Sequence, residues 1–205
     1  SGFMRRVGIF GGSFNPIHFG HLRLARHFVA VGLMDEVWLM VSPQNPLKKQ
    51  YDLLDAALRL ELARAAVADY PGVEVSDFEL GLPLPSYTWR TMESLCRAYP
   101  DRAFSLIVGA DNWQRFGRWA RHEELLRDYP LYVYPRPGFE VDAAALPATV
   151  HLVDAPLFPY SSTQVREQIA RGGDLSAMLP GRVVALLERR GIYTPKGNDG
   201  GGVLL

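Results

Sequence analysis

The sequence predicts an α/β fold in which one doubly wound parallel sheet is covered by helices on both faces. Short, continuously apolar segments alternate along the chain with segments of helical periodicity. Continuous apolar character is typical of strands that are buried on both faces. Right-handed crossovers between such parallel strands favour the doubly wound arrangement. We find no internal repeat and no linker, so the sequence predicts a single domain over residues 4–195.

Six apolar segments of strand length are predicted to form the sheet, over residues 7–10, 37–41, 73–75, 103–108, 130–134 and 150–153. Helices are predicted where apolar residues recur at helical spacing, over residues 21–31, 51–68, 88–98, 163–171 and 182–190. In the first of these helices, Leu22, Ala25 and Phe28 lie on one face. Residues 42–50 carry two prolines and two lysines and are predicted to form a polar loop.

Composition narrows the class of protein. The 22 lysines and arginines balance 22 aspartates and glutamates, which argues against nucleic-acid or anionic-membrane partners. The single cysteine, Cys96, cannot form an internal disulfide, and no run approaches the roughly 18 apolar residues of a membrane span. Since there is also no secretory signal pattern, we expect a cytoplasmic protein. Residues 1–3 are expected to be an expression remnant before Met4, and residues 196–205 a flexible glycine-rich tail.

The junction between the first strand and the first helix combines glycines with histidines. Gly11 and Gly12 are expected to let the backbone turn sharply and approach a ligand closely. A helix N-terminus with free N–H groups binds anions, and His18 and His21 add donors there. The junction therefore predicts a phosphate site, although it has neither a Walker loop nor a G-x-G-x-x-G string. The alternatives are a plain turn with surface histidines, and a metal site that lacks a nearby cysteine or acidic ligand.

Two later segments carry further candidate binding residues. Ser161 or Ser162 is predicted to cap a helix, and Arg166 falls in its first turns, where an arginine opposes the helix dipole unless an anion is present. After the fourth strand, two aromatic residues follow Gly109-Ala110-Asp111-Asn112, namely Phe116 and Trp119. The alternatives are an ordinary capped helix with a surface arginine, and two aromatic residues of the core.

The string His18-Phe19-Gly20-His21 resembles the H-x-G-H motif of the nucleotidyltransferase superfamily, which includes the class I aminoacyl-tRNA synthetases. Residues 11–16, GGSFNP, resemble one branch in particular, the bacterial nicotinate-nucleotide adenylyltransferases. Residues 160–166, YSSTQVR, are similar to the I-S-S-T-x-(I/V)-R signature of that family, with Tyr160 in place of the usual isoleucine. SYT at 86–88, GADN at 109–112 and RPG at 136–138 also resemble family segments, and all occur in the family's order.

The resemblance implies a Rossmann-like fold and the transfer of AMP from ATP to nicotinate mononucleotide, giving deamido-NAD and pyrophosphate in NAD biosynthesis. The catalytic residues that it implies are His18, His21 and Arg166. Those implied for ATP are Gly11, Gly12, Ser13, Phe14, Gly109, Asp111, Arg136, Ser162 and Thr163. Those implied for nicotinate mononucleotide are Lys48, Tyr87, Thr88, Phe116 and Trp119. No metal site on the protein is implied, and Mg²⁺ is expected to arrive with ATP, held mainly by phosphate oxygens and water.

Several alternatives stay open at this point. A sister adenylyltransferase could act on nicotinamide mononucleotide or phosphopantetheine, and Lys48 could be a solvated loop residue. A non-catalytic nucleotide sensor on the same fold is expected to lose His18, His21 or Arg166, and all three are present. A tRNA synthetase is disfavoured, because the chain has no room for an anticodon domain and lacks a Lys-Met-Ser-Lys-Ser string. The sequence does not indicate the oligomeric state, closure of the loop at 42–50, or a role for Cys96.

Overall fold

The protein is described by a computed structural model that covers residues 3–43 and 54–196. Predictions for residues 1–2, for the loop residues 44–53 with Lys48, and for residues 197–205 lie outside the described residues. Within this part, the six strands pair into one wholly parallel sheet of order β3-β2-β1-β4-β5-β6, which confirms the predicted fold class. The strands are β1 (Arg5–Gly12), β2 (Glu36–Val41), β3 (Val73–Ser76), β4 (Arg102–Gly109), β5 (Leu131–Tyr134) and β6 (Val150–Leu152).

The order of the strands determines where a ligand can bind. β1 lies at the centre, with β2 on one side and β4 on the other. The chain first builds outward through β2 and β3, and then returns to the other side of β1 for β4, β5 and β6. In doubly wound sheets, ligands bind at the carboxyl ends of the strands where this reversal occurs. The ends of β1 and β4 are therefore where a site is expected.

Helices cover both faces of the sheet, as predicted. They are α1 (Phe19–Ala30), α2 (Ala56–Ala66), α3 (Thr88–Ala98), α4 (Ala110–Gln114), α5 (His122–Asp128), α6 (Ser162–Ala170) and α7 (Gly181–Arg189). The sequence did not predict α4 or α5, because 5 and 7 residues are too few to show helical periodicity. In the described part of the chain, no helix combines the length and the hydropathy that crossing a membrane requires.

The core divides into two apolar clusters, one on each face of the sheet. Along β1, Phe10 packs into the cluster that contains residues of α1, α2, α6 and α7. Val7 and Ile9 on the same strand point to the opposite face, where residues of α3 and α5 pack. Because side chains alternate along a strand, a strand with apolar residues on both faces must be covered twice. This double burial fixes β1 rigidly, and with it the position of the loop that follows.

Candidate active site

Two adjoining pockets open at the carboxyl ends of the central strands and share Gly11, Gly12 and Tyr134. The first, here called the histidine pocket, is lined by Phe10, Gly11, Gly12, Ser13, Phe14, His18, His21, Asp111, Tyr134, Arg136, Phe158, Ser161, Ser162 and Thr163. The second, here called the Trp119 pocket, is lined by Ile9, Gly11, Gly12, Met40, Ser42, Glu79, Thr88, Thr91, Met92, Leu106, Ile107, Val108, Gly109, Asn112, Trp119 and Tyr134. Most of the residues predicted for the site therefore meet in one place.

His18 and His21 cap the start of α1 for each other. The backbone N–H of Gly20 donates to His18 Nδ1 at 3.0 Å, and the backbone N–H of His18 donates to His21 Nδ1 at 3.1 Å. The rings stack with their centroids 3.7 Å apart. This is the geometry of a capping box, with two imidazoles in place of the usual hydroxyl and carboxylate. Since each Nδ1 accepts a hydrogen bond, each neutral ring carries its proton on Nε2.

Gly20 between the histidines is required by the ring that caps the helix. A Cβ atom at this position would lie 2.7 Å from His18 Cε1 and 2.9 Å from His18 Nδ1. Any larger residue would therefore push the His18 ring off the cap. The cap also begins α1 at Phe19, two residues before the predicted start, because His18 supplies the acceptor that ends the preceding loop.

Burial keeps both imidazoles neutral. His18 is only 1% exposed, and this burial, with the nearby positive charge of Arg136, lowers the pKa of His18 to about 3. The pKa of His21 also lies well below its usual value, first because of burial and then because of His18 and Arg136. At neutral pH the two rings can therefore donate hydrogen bonds through Nε2 without carrying a full charge.

The predicted glycine turn after β1 is wrong in its details. Gly11 and Gly12 pair with Met40 and Val41 as the last residues of the strand, because the ladder between β1 and β2 continues to this point. The left-handed conformation falls instead on Phe14, with φ at 47°. No atom lies within 4 Å of a Cβ built on Gly11, so the space beside this residue is open.

The prediction of free N–H groups at the start of α1 is also wrong for its first two residues. The Phe19 N–H donates to the Met178 carbonyl at 2.9 Å, and the Gly20 N–H is held by His18. The helix whose first residues line the histidine pocket is α6, through Ser162 and Thr163. Donors at this pocket therefore come from the histidine side chains and from the start of α6.

Ser161, rather than Ser162, caps α6, and Gln164 completes the capping box. Arg166 projects from the second turn of this helix toward the loop after β1. Its Nη1 donates to the Asn15 carbonyl at 2.8 Å, and its Nη2 donates to Thr163 Oγ1 at 3.1 Å. Arg166 therefore joins α6 to that loop beside the histidine pocket.

Tyr160, which departs from the family signature, supports the histidine cap. Its ring packs edge-on against His18 with centroids 5.0 Å apart. Its hydroxyl donates to the Met178 carbonyl at 3.2 Å, the same carbonyl that accepts from the Phe19 N–H. Tyr160 therefore packs against His18 and is not among the residues that line the histidine pocket.

The lining of the histidine pocket includes two aromatic residues that the sequence analysis did not identify, Phe158 and Tyr134. The ring centroid of Phe158 lies 5.4 Å from that of His18 and 5.3 Å from that of His21, and the Phe158 ring stacks on Tyr134. Tyr134 is the last residue of β5, and its place at the carboxyl end of a strand could have marked it as a candidate site residue. Phe158 lies in an irregular segment with no sequence pattern that would mark it.

Asp111 and Arg136 form an ion pair in the lining of the histidine pocket. Asp111 Oδ1 lies 3.7 Å from Arg136 Nε, and the guanidinium lies 5.2 Å from the Phe158 ring centroid. Asp111 crowds Gly109, where a Cβ would come within 2.5 Å of its Oδ1. Gly109, which was predicted for ATP, lines the Trp119 pocket and is not among the residues that line the histidine pocket.

The residues predicted to bind nicotinate mononucleotide are only partly brought together. Thr88, the first residue of α3, and Trp119 line the Trp119 pocket. Tyr87 is 41% exposed and stacks on Trp89 outside it, while Phe116 is 2% exposed and packs beneath Trp119. The backbone N–H of Trp119 donates to the Phe116 carbonyl at 3.0 Å and is therefore occupied. Phe116 thus fits the alternative of a core aromatic residue.

Glu79 is a residue of the Trp119 pocket that the sequence analysis missed. Its carboxyl group accepts a hydrogen bond from the Ser86 hydroxyl, and burial raises the pKa of this carboxyl above its ordinary value. No sequence pattern indicated it, because it reaches the pocket from the short turn at Phe78–Gly81, after β3. Within residues 3–43 and 54–196, no cluster of three or more histidine, cysteine or acidic side chains could hold a metal ion.

The chain is similar to known proteins over most of its length. The model of the family described as "Cytidylyltransferase-like" matches residues 9–168. A Bacteroides fragilis protein named "Probable nicotinate-nucleotide adenylyltransferase" is 50% identical over 85% of this chain and 87% of its own length. A protein of the same name from Flavobacterium johnsoniae is 38% identical over 92% and 98%. The solved structure of Plasmodium falciparum nicotinic acid mononucleotide adenylyltransferase complexed with NaAD shares the fold, with a TM-score of 0.73 and 16% identity over 92% of this chain and 97% of that chain.

Because His18 is neutral in the folded protein, we predict that the protein loses stability in acid. The unfolded chain binds a proton at His18 near the ordinary pKa of 6.5, whereas the folded chain does not until about pH 3. The free energy of unfolding therefore falls as the pH decreases through this window, by up to about 1.4 kcal/mol per pH unit. His18→Asn removes the titrating group and keeps a side chain suited to an N-cap.

Urea unfolding at several pH values between 6.5 and 4.5 measures this effect. We expect the free energy of unfolding to decline less steeply in His18→Asn than in the parent protein. Equal slopes in the two proteins would contradict a neutral, buried His18.

Proposed function

This chain belongs to the cytidylyltransferase-like family, and we propose that it is a nicotinate-nucleotide adenylyltransferase. In this reaction AMP passes from ATP to nicotinate mononucleotide, giving deamido-NAD and pyrophosphate, a step of NAD biosynthesis. The observation that carries the proposal is the pair of adjoining pockets, one with two histidine donors and a helix N-terminus, the other with Trp119 and the start of α3. One pocket suits a phosphate chain and the other a flat ring, and the two meet at Gly11 and Gly12.

The proposed mechanism is an in-line transfer across the boundary between the pockets. ATP binds in the histidine pocket, and nicotinate mononucleotide binds in the Trp119 pocket. The phosphate of the mononucleotide attacks the α-phosphorus of ATP, and pyrophosphate leaves on the opposite side. A phosphate monoester has a second pKa of about 6 and is largely dianionic at neutral pH, so it needs no general base. Catalysis then reduces to orientation and charge stabilisation.

Neutral histidines suit this role. His18 and His21 donate Nε2–H bonds to the oxygens on the α-phosphate and to the bridging oxygen, where negative charge develops. Because the reaction moves no proton through them, their depressed pKa values are no obstacle. Ser162, Thr163 and Arg166 bind the departing pyrophosphate, and Arg136 with Asp111 contacts the adenosine. The contact of Arg166 with Thr163 supports this shared role.

We propose that Mg²⁺ enters with ATP. Asp111 is the carboxylate that lines the histidine pocket, and it already faces Arg136. This donor set fits a metal held by phosphate oxygens and water rather than by a protein cage. When bound there, Mg²⁺ neutralises part of the charge on the triphosphate.

The ring of the acceptor lies against Trp119 and Thr88 in this proposal. α3 begins at Thr88, and its N-terminus carries partial positive charge at the edge of the Trp119 pocket. A carboxylate on the ring is favoured at such a position over a neutral amide. The same pocket supports the alternative in which nicotinamide mononucleotide is the acceptor, because Glu79 also lines it.

Pyrophosphate release tests the function. The purified protein is supplied with ATP, Mg²⁺ and one acceptor: nicotinate mononucleotide, nicotinamide mononucleotide or phosphopantetheine. We expect release with the nicotinate compound at an efficiency at least about tenfold above the amide, the scale of one favourable polar contact. Equal release with the amide would overturn the acid preference, and no release with any acceptor from a protein that binds ATP would support the sensor alternative.

The role of His21 predicts a large loss of turnover without loss of fold. We expect His21→Ala to lower kcat by about 10²–10³, the scale of removing one oxyanion donor. His21→Gln is a sharper variant, because Gln164 already fills the equivalent position of the capping box in α6. It preserves the cap and removes the imidazole.

Steady-state kinetics and far-UV circular dichroism measure the two effects of these His21 variants. His27→Ala, in the last turn of the same helix, is the matched control and should keep parental turnover. A His21→Ala protein with turnover within threefold of the parent would contradict the assignment.

Removal of the Arg166 side chain is predicted to weaken the binding of pyrophosphate. We expect Arg166→Ala to weaken ATP affinity or turnover by about 1.5–3 kcal/mol, the range for a hydrogen bond to a charged group. Arg171→Ala, just after the same helix, where the side chain contacts Gln168, is the control. Unchanged kinetics for both variants would show that Arg166 is a surface residue.

A further inference from the structure

Arg59 on α2 is a buried cation that the proposed chemistry does not use. Its side chain is 0% exposed, and among the described residues it belongs to no ion pair. Burial lowers the pKa of Arg59, yet an arginine stays protonated at neutral pH. The Asp55 carboxylate attracts this charge electrostatically but forms no ion pair with it, so retention of the buried charge calls for further specific contacts.

The guanidinium of Arg59 binds three backbone carbonyls. Its Nη1 donates to the Ser13 carbonyl at 2.7 Å and to the Ser42 carbonyl at 2.9 Å, and its Nε donates to the Leu54 carbonyl at 2.9 Å. Within the described part of the chain, Nη2 is buried and has no hydrogen-bond partner. One side chain therefore connects the residues that follow β1 and β2, Ser13 and Ser42, to Leu54 just before its own helix.

Two of these carbonyls belong to residues that line different pockets. Ser13 lines the histidine pocket, and Ser42 lines the Trp119 pocket. β1 and β2 remain paired up to Gly12, whose carbonyl accepts from the Ser42 N–H at 2.9 Å. Beyond this bond the two chains follow separate courses. Arg59 joins them just after the ladder ends, where the two pockets meet.

Arg59 also orients the peptide after Ser13. The peptide between Ser13 and Phe14 is trans, so the Phe14 N–H points to the side away from Arg59. Two residues further on, Arg166 holds the Asn15 carbonyl from α6. The loop that borders the histidine pocket is thus fixed by one arginine from α2 and by another from α6.

We propose that Arg59 is a positioning residue for the transfer step. By binding the Ser13 and Ser42 carbonyls at once, it sets the distance and orientation between the pocket that holds the α-phosphate of ATP and the pocket that holds the attacking phosphate. This inference rests on the proposed function. The planar fork of a guanidinium has a fixed geometry for two acceptors, which the single ammonium of a lysine does not reproduce.

The experiment compares Arg59→Met and Arg59→Lys with the parent protein. Arg64→Met is the matched control, because Arg64 lies on the same helix and pairs at the surface with Asp77. The measurements are kcat and KM for ATP and nicotinate mononucleotide, the Kd of α,β-methylene-ATP by calorimetry, and the thermal midpoint.

We expect Arg59→Met to lower kcat by about 10²-fold, the effect of a displacement of about 1 Å between reacting groups. Both KM values and the Kd of the ATP analogue should stay within about threefold of the parent, because Arg166 still holds the Asn15 carbonyl of the loop and the other lining residues of each pocket are unchanged. Arg59→Lys should lose at least about tenfold in kcat, since charge without the fork is not enough. Arg64→Met should keep parental values.

Other results overturn the proposal in distinct ways. A lower thermal midpoint with parental kcat would make Arg59 a structural residue only. A weaker Kd with parental kcat would make it an electrostatic ligand of ATP, and parental kcat in Arg59→Lys would show that charge alone suffices. If Arg59→Met does not fold, Arg59→Lys decides by the same criterion.

A parent protein that releases no pyrophosphate with any acceptor would overturn the proposed function and this inference together, whereas an active parent with unaffected variants would overturn this inference alone.

Discussion

The reciprocal cap between His18 and His21 is the interaction on which the site depends. It starts α1, closes the loop after β1, and forces each Nδ1 to accept a hydrogen bond. The proton of each neutral ring is then left on Nε2. Burial keeps these rings neutral, with Phe158 packed against both of them and Tyr160 against His18. The same two side chains thus serve the fold as caps and the pocket as donors, so a residue that served only one of these needs could not replace them.

A phosphate-transfer site can use neutral donors because the attacking group brings its own charge. With no proton to remove, the site needs fixed dipoles and a controlled distance between two ligands. In the proposed mechanism, the fixed dipoles come from His18, His21 and the start of α6. The distance is assigned there to arginines from α2 and α6, which hold carbonyls of the loop after β1. The loop starts from β1, which is buried on both faces at the centre of the sheet.

Much of this architecture could be predicted from the sequence, because it depends on local patterns. The apolar segments gave all six strands, and the strings around His18, Ser161 and Gly109 gave the residues that gather at their ends. What could not be predicted depends on packing between distant segments. The ladder between β1 and β2 extends the strand through Gly11 and Gly12, and the left-handed residue is Phe14. Phe158, Glu79 and Arg59 reach the site, or its border, from an irregular segment, a short turn and a buried helix face, where no period or motif marks them.

The protonation state of the two imidazoles is the most direct test of this arrangement. Two-bond ¹H–¹⁵N correlation spectra of the uniformly ¹⁵N-labelled protein at neutral pH report the tautomer and the charge of each histidine. The His18→Asn and His21→Gln variants assign the two sets of signals. We predict that both rings show the pattern of a neutral imidazole protonated at Nε2. An imidazolium pattern, or a proton on Nδ1 of either ring, would contradict the reciprocal cap and the neutral donors derived from it.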